Sequence, residues 1–168
     1  YGIDWEIVDP DDSWSHIGYW NDHQIIYLLK LLEHLNNTNP ERLEQLFGDP
    51  IFSYANIPYK IKSFKEIANN PKKTIDFDFE DHNKIIDLVG ELGSDGRLLL
   101  TKSKDVYHAN LCEKLLVLSL AKICNYVPGA GIWLNTQRPE WNDANNALVG
   151  NGTSMVTVYY LKRFLEFF

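Results

Sequence analysis

The chain has 168 residues, 45% of them hydrophobic and 13% aromatic, and a formal net charge of −7. That is enough length for one domain with a core, and too apolar and ring-rich a composition for a disordered chain. The acidic balance argues against nucleic acid as a partner, because such binding needs a basic face. No apolar run approaches the roughly 20 residues of a membrane span, so no membrane contact is expected either. We expect one unit over 1–168 with no internal boundary. The chain opens on Tyr1-Gly2-Ile3, has its single methionine at Met155 and stops on the apolar run Leu165-Glu166-Phe167-Phe168. This reads as a fragment of a larger helical catalytic domain, with the remainder of the same polypeptide as a partner.

In chain order, residues 1–19 read as a loop in which Asp9, Asp11 and Asp12 around Pro10 make a turn. Asn21 caps a predicted helix near 22–36. Its apolar positions Ile25, Ile26, Leu28, Leu29, Leu31, Leu32 and Leu35 cover more than half its circumference, which predicts deep burial. Asn39 caps a short helix with Pro40 at its first position and Gly48 just past its end. A loop over 49–62 leads to a short helix from Ser63 to Asn70. Ile75-Asp76-Phe77-Asp78-Phe79 alternates like a strand, or else runs into a helix at 81–92 that ends at Gly93. Gly93-Ser94-Asp95-Gly96 is a turn. A helix over about 108–126 carries Leu111, Leu115, Leu116, Leu118, Leu120 and Ile123 and is expected to be largely buried. After Pro128-Gly129-Ala130-Gly131 comes a long loop from Trp133 to Gly152. Thr153 or Ser154 then caps a last helix with Val156, Tyr159, Tyr160, Leu161, Phe164 and Leu165 inward.

The fold class expected from this series is all-α, and long buried helices joined by functional loops point to an α/α barrel or toroid. Cys112 and Cys124 stand about 18 Å apart along one helix, too far for a disulfide between them. They are expected as buried free thiols, which favours a reducing, cytoplasmic compartment. His16, His34, His82 and His108 have no mutual metal spacing. There is no Ser or Cys nucleophile motif and no glycine-rich phosphate loop. No metal and no organic cofactor is expected.

The chemistry is concentrated in Arg138-Pro139-Glu140-Trp141-Asn142-Asp143-Ala144-Asn145-Asn146, just ahead of Val149-Gly150. The segment combines a large ring, amides and two carboxylates. That is what a sugar-processing site needs: a ring for the apolar sugar face, amides for hydroxyls, and a carboxyl group to protonate a glycosidic oxygen. An Asn-Asp pair is also an ordinary turn or helix cap, and a tryptophan also packs. Both readings of Asp143 and Trp141 stay open on the residues alone.

Trp141-Asn142-Asp143, with an acidic residue before it and Asn146, Val149 and Gly150 after it, resembles the G-D-W-N-D-G-M-N-x-V-G loop of the cellobiose and chitobiose phosphorylases. Upstream, Asn21-Asp22-His23-Gln24-Ile25-Ile26 resembles that family's S-D-D-H-L-W-L helix start, with Asn39-Pro40 following. The resemblance implies part of an (α/α)6 barrel of the six-hairpin glycosidase kind. It also implies a carbohydrate-active enzyme that cleaves a glycosidic bond with inversion, by phosphorolysis or hydrolysis, on an oligosaccharide substrate. Asp143 takes the general-acid role and Trp141 the sugar platform. On the residues themselves, Glu140 supports catalysis or pairs with Arg138, and Asn142, Arg138 and Asn146 bind substrate. Asp22 and His23 form a second candidate site, with hydrogen bonding between helices as the competing role. Inorganic phosphate enters as the alternative co-substrate to water. The departures are Arg138-Pro139-Glu140 for glycines and Asp, Ala144 for Gly, and one extra residue between Asn146 and Gly150. They leave sugar chemistry in general rather than phosphorolysis in particular. The alternative is a non-catalytic sugar-binding or structural helical domain. The 168 residues alone are expected to be inactive.

Overall fold

The computed structural model describes residues 24–135 and 148–168. The described chain enters as a π-helical stretch, Gln24–Leu28, running into α1 (Leu29–Thr38). Ile25, Ile26, Leu29 and Leu32 are all buried; they form one stripe at helical spacing. Leu31 is about half exposed, so the burial is narrower than the apolar sequence implies. Helix α2 (Pro40–Gly48) begins where expected: the Asn39 side chain accepts the Arg42 N–H at 3.1 Å and Pro40 fills the first turn. Gly48 is its last residue rather than the one beyond.

Strand β1 (Tyr59–Ile61) pairs antiparallel with β2 (Ile75–Phe77), Tyr59 opposite Phe77 and Ile61 opposite Ile75. The alternation in 75–79 is therefore a strand at its start and a helix cap at its end. Asp78 accepts the Asp81 N–H at 3.0 Å and opens α4 (Phe79–Leu92). Between the two strands lies α3 (Phe64–Asn69), closed at its start by a capping box: Ser63 accepts the Glu66 N–H, and Glu66 accepts the Ser63 N–H at 3.1 Å. A 3-10 turn, Gly93–Arg97, packs back on α4.

Helix α5 (Leu111–Ile123) starts at an Asn110 cap, whose side chain accepts the Glu113 N–H at 2.9 Å. Strands β3 (Tyr126–Val127), β4 (Gly131–Trp133) and β5 (Thr153–Ser154) then make a three-stranded antiparallel sheet in the order β3-β4-β5. Ser154 accepts the Thr157 N–H at 3.2 Å and starts α6 (Met155–Phe167).

The all-α expectation is overturned, and with it the description as part of an (α/α)6 barrel. The described residues form a mixed α/β structure, with a two-stranded and a three-stranded antiparallel sheet beside the helices. Apart from β2, whose alternation continues into 78–79, the strands are two or three residues long, too short for a period-two pattern to stand out. A short turn joins β3 to β4, whereas α3 lies between β1 and β2. Gly131, at φ +139°, lets β4 approach β5 where a Cβ would come within 2.9 Å of the Ser154 carbonyl oxygen.

The core gathers Ile25, Ile26, Leu29 and Leu32 with Leu43 of α2, Leu111, Leu115 and Leu118 of α5, Ile132 of β4, and Leu161 and Phe164 of α6. On its solvent side, Arg163 of α6 holds Glu33 of α1 by a two-pronged pair, Nε to Oε1 at 2.7 Å and Nη2 to Oε2 at 2.5 Å. Two expectations of burial fail on this geometry. Leu116, Leu120 and Ile123 of α5, and Val156, Tyr159 and Leu165 of α6, face outward. Each helix touches the core along one stripe only, whatever its other faces carry. Cys112 and Cys124 are free as expected, but Cys112 is only half-buried and Cys124 is exposed.

The faces of α6 make a direct test. Phe164→Ala, at a site 1% exposed, should cost about 3–5 kcal/mol of stability. Tyr159→Ala, at a site 66% exposed, should stay within about 0.5 kcal/mol. Urea unfolding of the two variants checks the pair, and equal losses would reverse the assignment of faces.

Candidate functional site

Every site residue expected from the sequence falls outside the described residues: Arg138, Glu140, Trp141, Asn142, Asp143 and Asn146 in 136–147, and Asp22 and His23 in 1–23. The described structure does contain the two ends of the segment that carries the Trp-Asn-Asp motif, together with the last two motif residues, Val149 and Gly150.

These ends form a stem. The Gly150 N–H donates to the Leu134 carbonyl at 2.7 Å, and the Leu134 N–H donates to the Gly152 carbonyl at 3.0 Å. Below them, Trp133 pairs with Thr153 and Ile132 with Ser154. Leu148 to Gly152 closes as a tight turn, the Gly152 N–H reaching the Leu148 carbonyl at 2.7 Å. Val149 is buried. Gly150 adopts φ +77°, and a Cβ there would lie 2.4 Å from the Pro71 Cβ and 3.1 Å from Ile67 Cγ2. Only glycine fits, for both the backbone angle and the space. Gly150 thus sets the stem against α3 and the turn after it.

Side chains fix the stem further. The Trp133 Nε1–H donates to the Gly150 carbonyl at 3.2 Å, and the Phe64 ring meets the Trp133 indole edge-on at 5.1 Å. Asn135, at the last described position before the segment, donates from Nδ2 to Asn125 Oδ1 at 3.4 Å, and Asn125 donates to the Ala121 carbonyl at 3.0 Å. Thr153 Oγ1 donates to the Ala130 carbonyl at 3.1 Å. Both ends of 136–147 therefore belong to one cross-linked frame of α3, α5 and the β3-β4-β5 sheet.

A second polar cluster escaped sequence reasoning. Residues 52–54 pair with 99 and 109 through backbone bonds, Ala109 N–H to Phe52 at 2.7 Å and Leu99 N–H to Tyr54 at 2.7 Å. This stacks the Tyr54 and Tyr107 rings, with centroids 6.3 Å apart and planes 22° from parallel. Lys114 on the first turn of α5 sets its Nζ 3.9 Å from the Tyr54 ring centroid and donates to the Ser53 carbonyl at 2.7 Å. Burial pushes the Lys114 ammonium below its ordinary pKa, with the Glu113 charge acting the other way. The Tyr107 hydroxyl donates to Glu113 Oε2 at 3.1 Å. The Tyr54 phenol is pushed up to about 12, first by burial and then by the Glu113 charge. Its hydroxyl is buried without meeting hydrogen-bond geometry. The cluster clamps the start of α5 to the 52–54 segment. The one local signal for it was the Asn110-x-x-Glu113 spacing, which marks a helix start but does not say that Glu113 faces two tyrosines.

Among the described residues, no group of three or more His, Cys, Asp or Glu side chains stands together as a metal site. No described helix is long and apolar enough to cross a membrane. In comparisons with known proteins, no family model matches the chain and no curated protein matches it.

Two outcomes follow from this geometry. Gly150→Ala should cost about 2–4 kcal/mol, the left-handed backbone and the crowded Cβ acting together; a urea midpoint unchanged from wild type would show that the stem is not held against Pro71. Tyr54 has a folded-state pKa above its ordinary value of 10.0, so its contribution to stability is fully present below pH 10 and is lost as pH rises through about 12. An alkaline ultraviolet titration should show a late phenolate step near pH 12 that is missing in Tyr54→Phe.

Proposed function

We propose that the chain belongs to a carbohydrate-active enzyme that breaks a glycosidic bond with inversion of configuration, with Asp143 as the general acid. The observation that carries this reading is the stem. The segment holding Trp141-Asn142-Asp143 begins and ends on backbone bonds of 2.7 and 3.0 Å between Leu134 and the Gly150–Gly152 turn. Catalytic groups are commonly carried on connecting segments whose ends are fixed by a rigid scaffold. A general acid has to be held at hydrogen-bond range from the oxygen it protonates. The resemblance of the two sequence segments to the cellobiose and chitobiose phosphorylases supplies the reaction type.

Within this proposal Trp141 covers the apolar face of the sugar, while Asn142, Asn146 and Arg138 bind its hydroxyls. Asp143 must remain protonated near neutral pH until it delivers its proton to the leaving oxygen. A neighbouring like charge raises a carboxyl pKa, and Glu140, three residues earlier, supplies that charge. Attack comes from the opposite face of the sugar, by water or by inorganic phosphate. If water attacks, a carboxylate roughly 6.5–9.5 Å from the acid activates it, and Glu140 is the candidate on this chain. Asp22 and His23 form a second candidate substrate contact.

The test uses the full-length protein with a panel of gluco-, N-acetylglucosamine- and manno-oligosaccharides, with and without phosphate. Asp143→Asn should lower kcat by about 10²–10⁴-fold while sugar binding is retained. Dependence on phosphate separates phosphorolysis from hydrolysis. Unchanged turnover in the variant removes Asp143 from the chemistry.

A further inference from the structure

We infer that Asn151 is a deamidation site held closed by the stem, so that opening of the stem converts it irreversibly to aspartate and isoaspartate. The inference stands apart from the carbohydrate reading and uses described residues alone.

Asn151-Gly152 is the one Asn-Gly pair in the sequence. The Gly152 main-chain nitrogen, once it has lost its proton, can attack the Asn151 side-chain carbonyl carbon. A bond forms from that nitrogen to Cγ, the Cγ–Nδ2 bond breaks, and Nδ2 leaves as ammonia, which closes a five-membered succinimide. Water then opens the ring. Addition at Cγ gives aspartate. Addition at the Asn151 main-chain carbonyl gives isoaspartate, whose main chain runs through Cγ. The balance is one amide and one water giving one carboxylic acid and one ammonia, with nothing oxidised or reduced. Glycine in the second place has no Cβ to hinder ring closure. Asn151 is exposed, so solvent water reaches the site.

The fold withholds the nucleophile. The Gly152 N–H donates to the Leu148 carbonyl at 2.7 Å, and the Asn151 N–H donates to the same oxygen at 2.9 Å. The Gly152 carbonyl accepts the Leu134 N–H at 3.0 Å. Gly152 is therefore bonded through both its nitrogen and its oxygen, and Thr153 and Ser154 follow directly in pairing with Trp133 and Ile132. A Cβ on Gly152 would lie 2.8 Å from the Leu148 Cβ, so the turn has little room in which its backbone could rotate. The ring cannot close until the Gly152 N–H leaves Leu148. Reaction proceeds from the opened turn, at a rate set by the fraction of molecules that are open, as in hydrogen exchange at a protected amide.

The product then prevents reclosure. Isoaspartate adds one main-chain carbon between Gly150 and Gly152 and brings a carboxylate. Leu134 is bonded to both glycines, and Gly150 lies against Pro71 and Ile67 without room for a Cβ. Neither glycine can shift to take up the extra atom, so one end of the 136–147 segment comes free of Leu134.

The experiment incubates the full-length protein at mildly alkaline pH and body temperature, digests it at acidic pH, and resolves amide, aspartate and isoaspartate at Asn151 by mass spectrometry. A free peptide covering 148–154 gives the unprotected rate. The wild type should convert at least about tenfold more slowly than the peptide, equivalent to about 1.4 kcal/mol of opening. Gly150→Ala, which loosens the stem, should convert faster than wild type, and so should the wild type in urea below its unfolding transition. If the wild type converts as fast as the peptide, the stem does not protect Asn151 and the inference is overturned. If the peptide converts but Asn151 stays an amide in both Gly150→Ala and urea, opening does not expose it, and the inference is again overturned. Should Gly150→Ala fail to fold, the urea series decides: a rate that rises with urea supports the inference, and a flat one overturns it.

Discussion

Strand β4 is three residues long and is paired on both edges, to β3 through Val127 and Tyr126 and to β5 through Ser154 and Thr153. Its central residue, Ile132, is buried among Leu161 and Phe164 of α6 and the apolar stripe of α1 and α5. The strand therefore joins the exit of α5, the start of α6 and the core. Ser154 serves twice, as the partner of Ile132 and as the cap of α6. A backbone this crowded needs residues without a Cβ, and Gly131, Gly150 and Gly152 stand at close approaches. A side chain at Gly131 would push on the Ser154 cap, and one at Gly150 on the docking of α3.

Two kinds of attachment hold the helices to this frame. Hydrophobic contact along single stripes brings α1, α2, α5 and α6 together, and it is the larger effect because each buried aliphatic side chain contributes roughly 1.5–3 kcal/mol. Polar clamps then fix orientation. Arg163 with Glu33 sets α6 against α1, and Lys114 with Ser53 and Tyr54 sets the start of α5 against the 52–54 segment. The first of these is exposed and adds little energy of its own. The second is partly withdrawn from water, as the lowered Lys114 and raised Tyr54 pKa values indicate. Removing the Lys114 ammonium there leaves the Ser53 carbonyl without its partner, which is costlier than losing a surface pair.

The helix starts were legible because a cap is a local event, a side chain bonding a backbone N–H three residues on. Asn39, Ser63 and Ser154 all do this where the sequence led us to expect helices to begin. The short strand at 75–77 was legible from its alternation. The three-stranded sheet was not, since Tyr126–Val127 and Thr153–Ser154 hold two residues each and carry no period. The outward apolar faces of α5 and α6 were misread for another reason. A helix with leucines on most sides gives no sign of which side meets the core, and Leu116 and Leu120 are chemically the same as the buried Leu115 and Leu118. Within the candidate site, Trp141, Asn142 and Asp143 were picked out by residue type and by the resemblance of their motif. The roles of Gly150, Trp133 and Phe64 needed contacts that cross from one part of the chain to another.

The sequence by itself determined the caps at Asn39 and Ser154, the approximate extent of the helices and the position of the Trp-Asn-Asp motif, because each depends on residues within a few positions of one another. Only the tertiary structure decided that sheets accompany the helices, which helix faces are buried, and that the two ends of the motif segment are bonded at Leu134 and Gly150. The physical reason is range. A cap or an alternation is satisfied within one turn or one strand, whereas Gly150 lacks room for a Cβ only because Pro71, far away in sequence, folds against it.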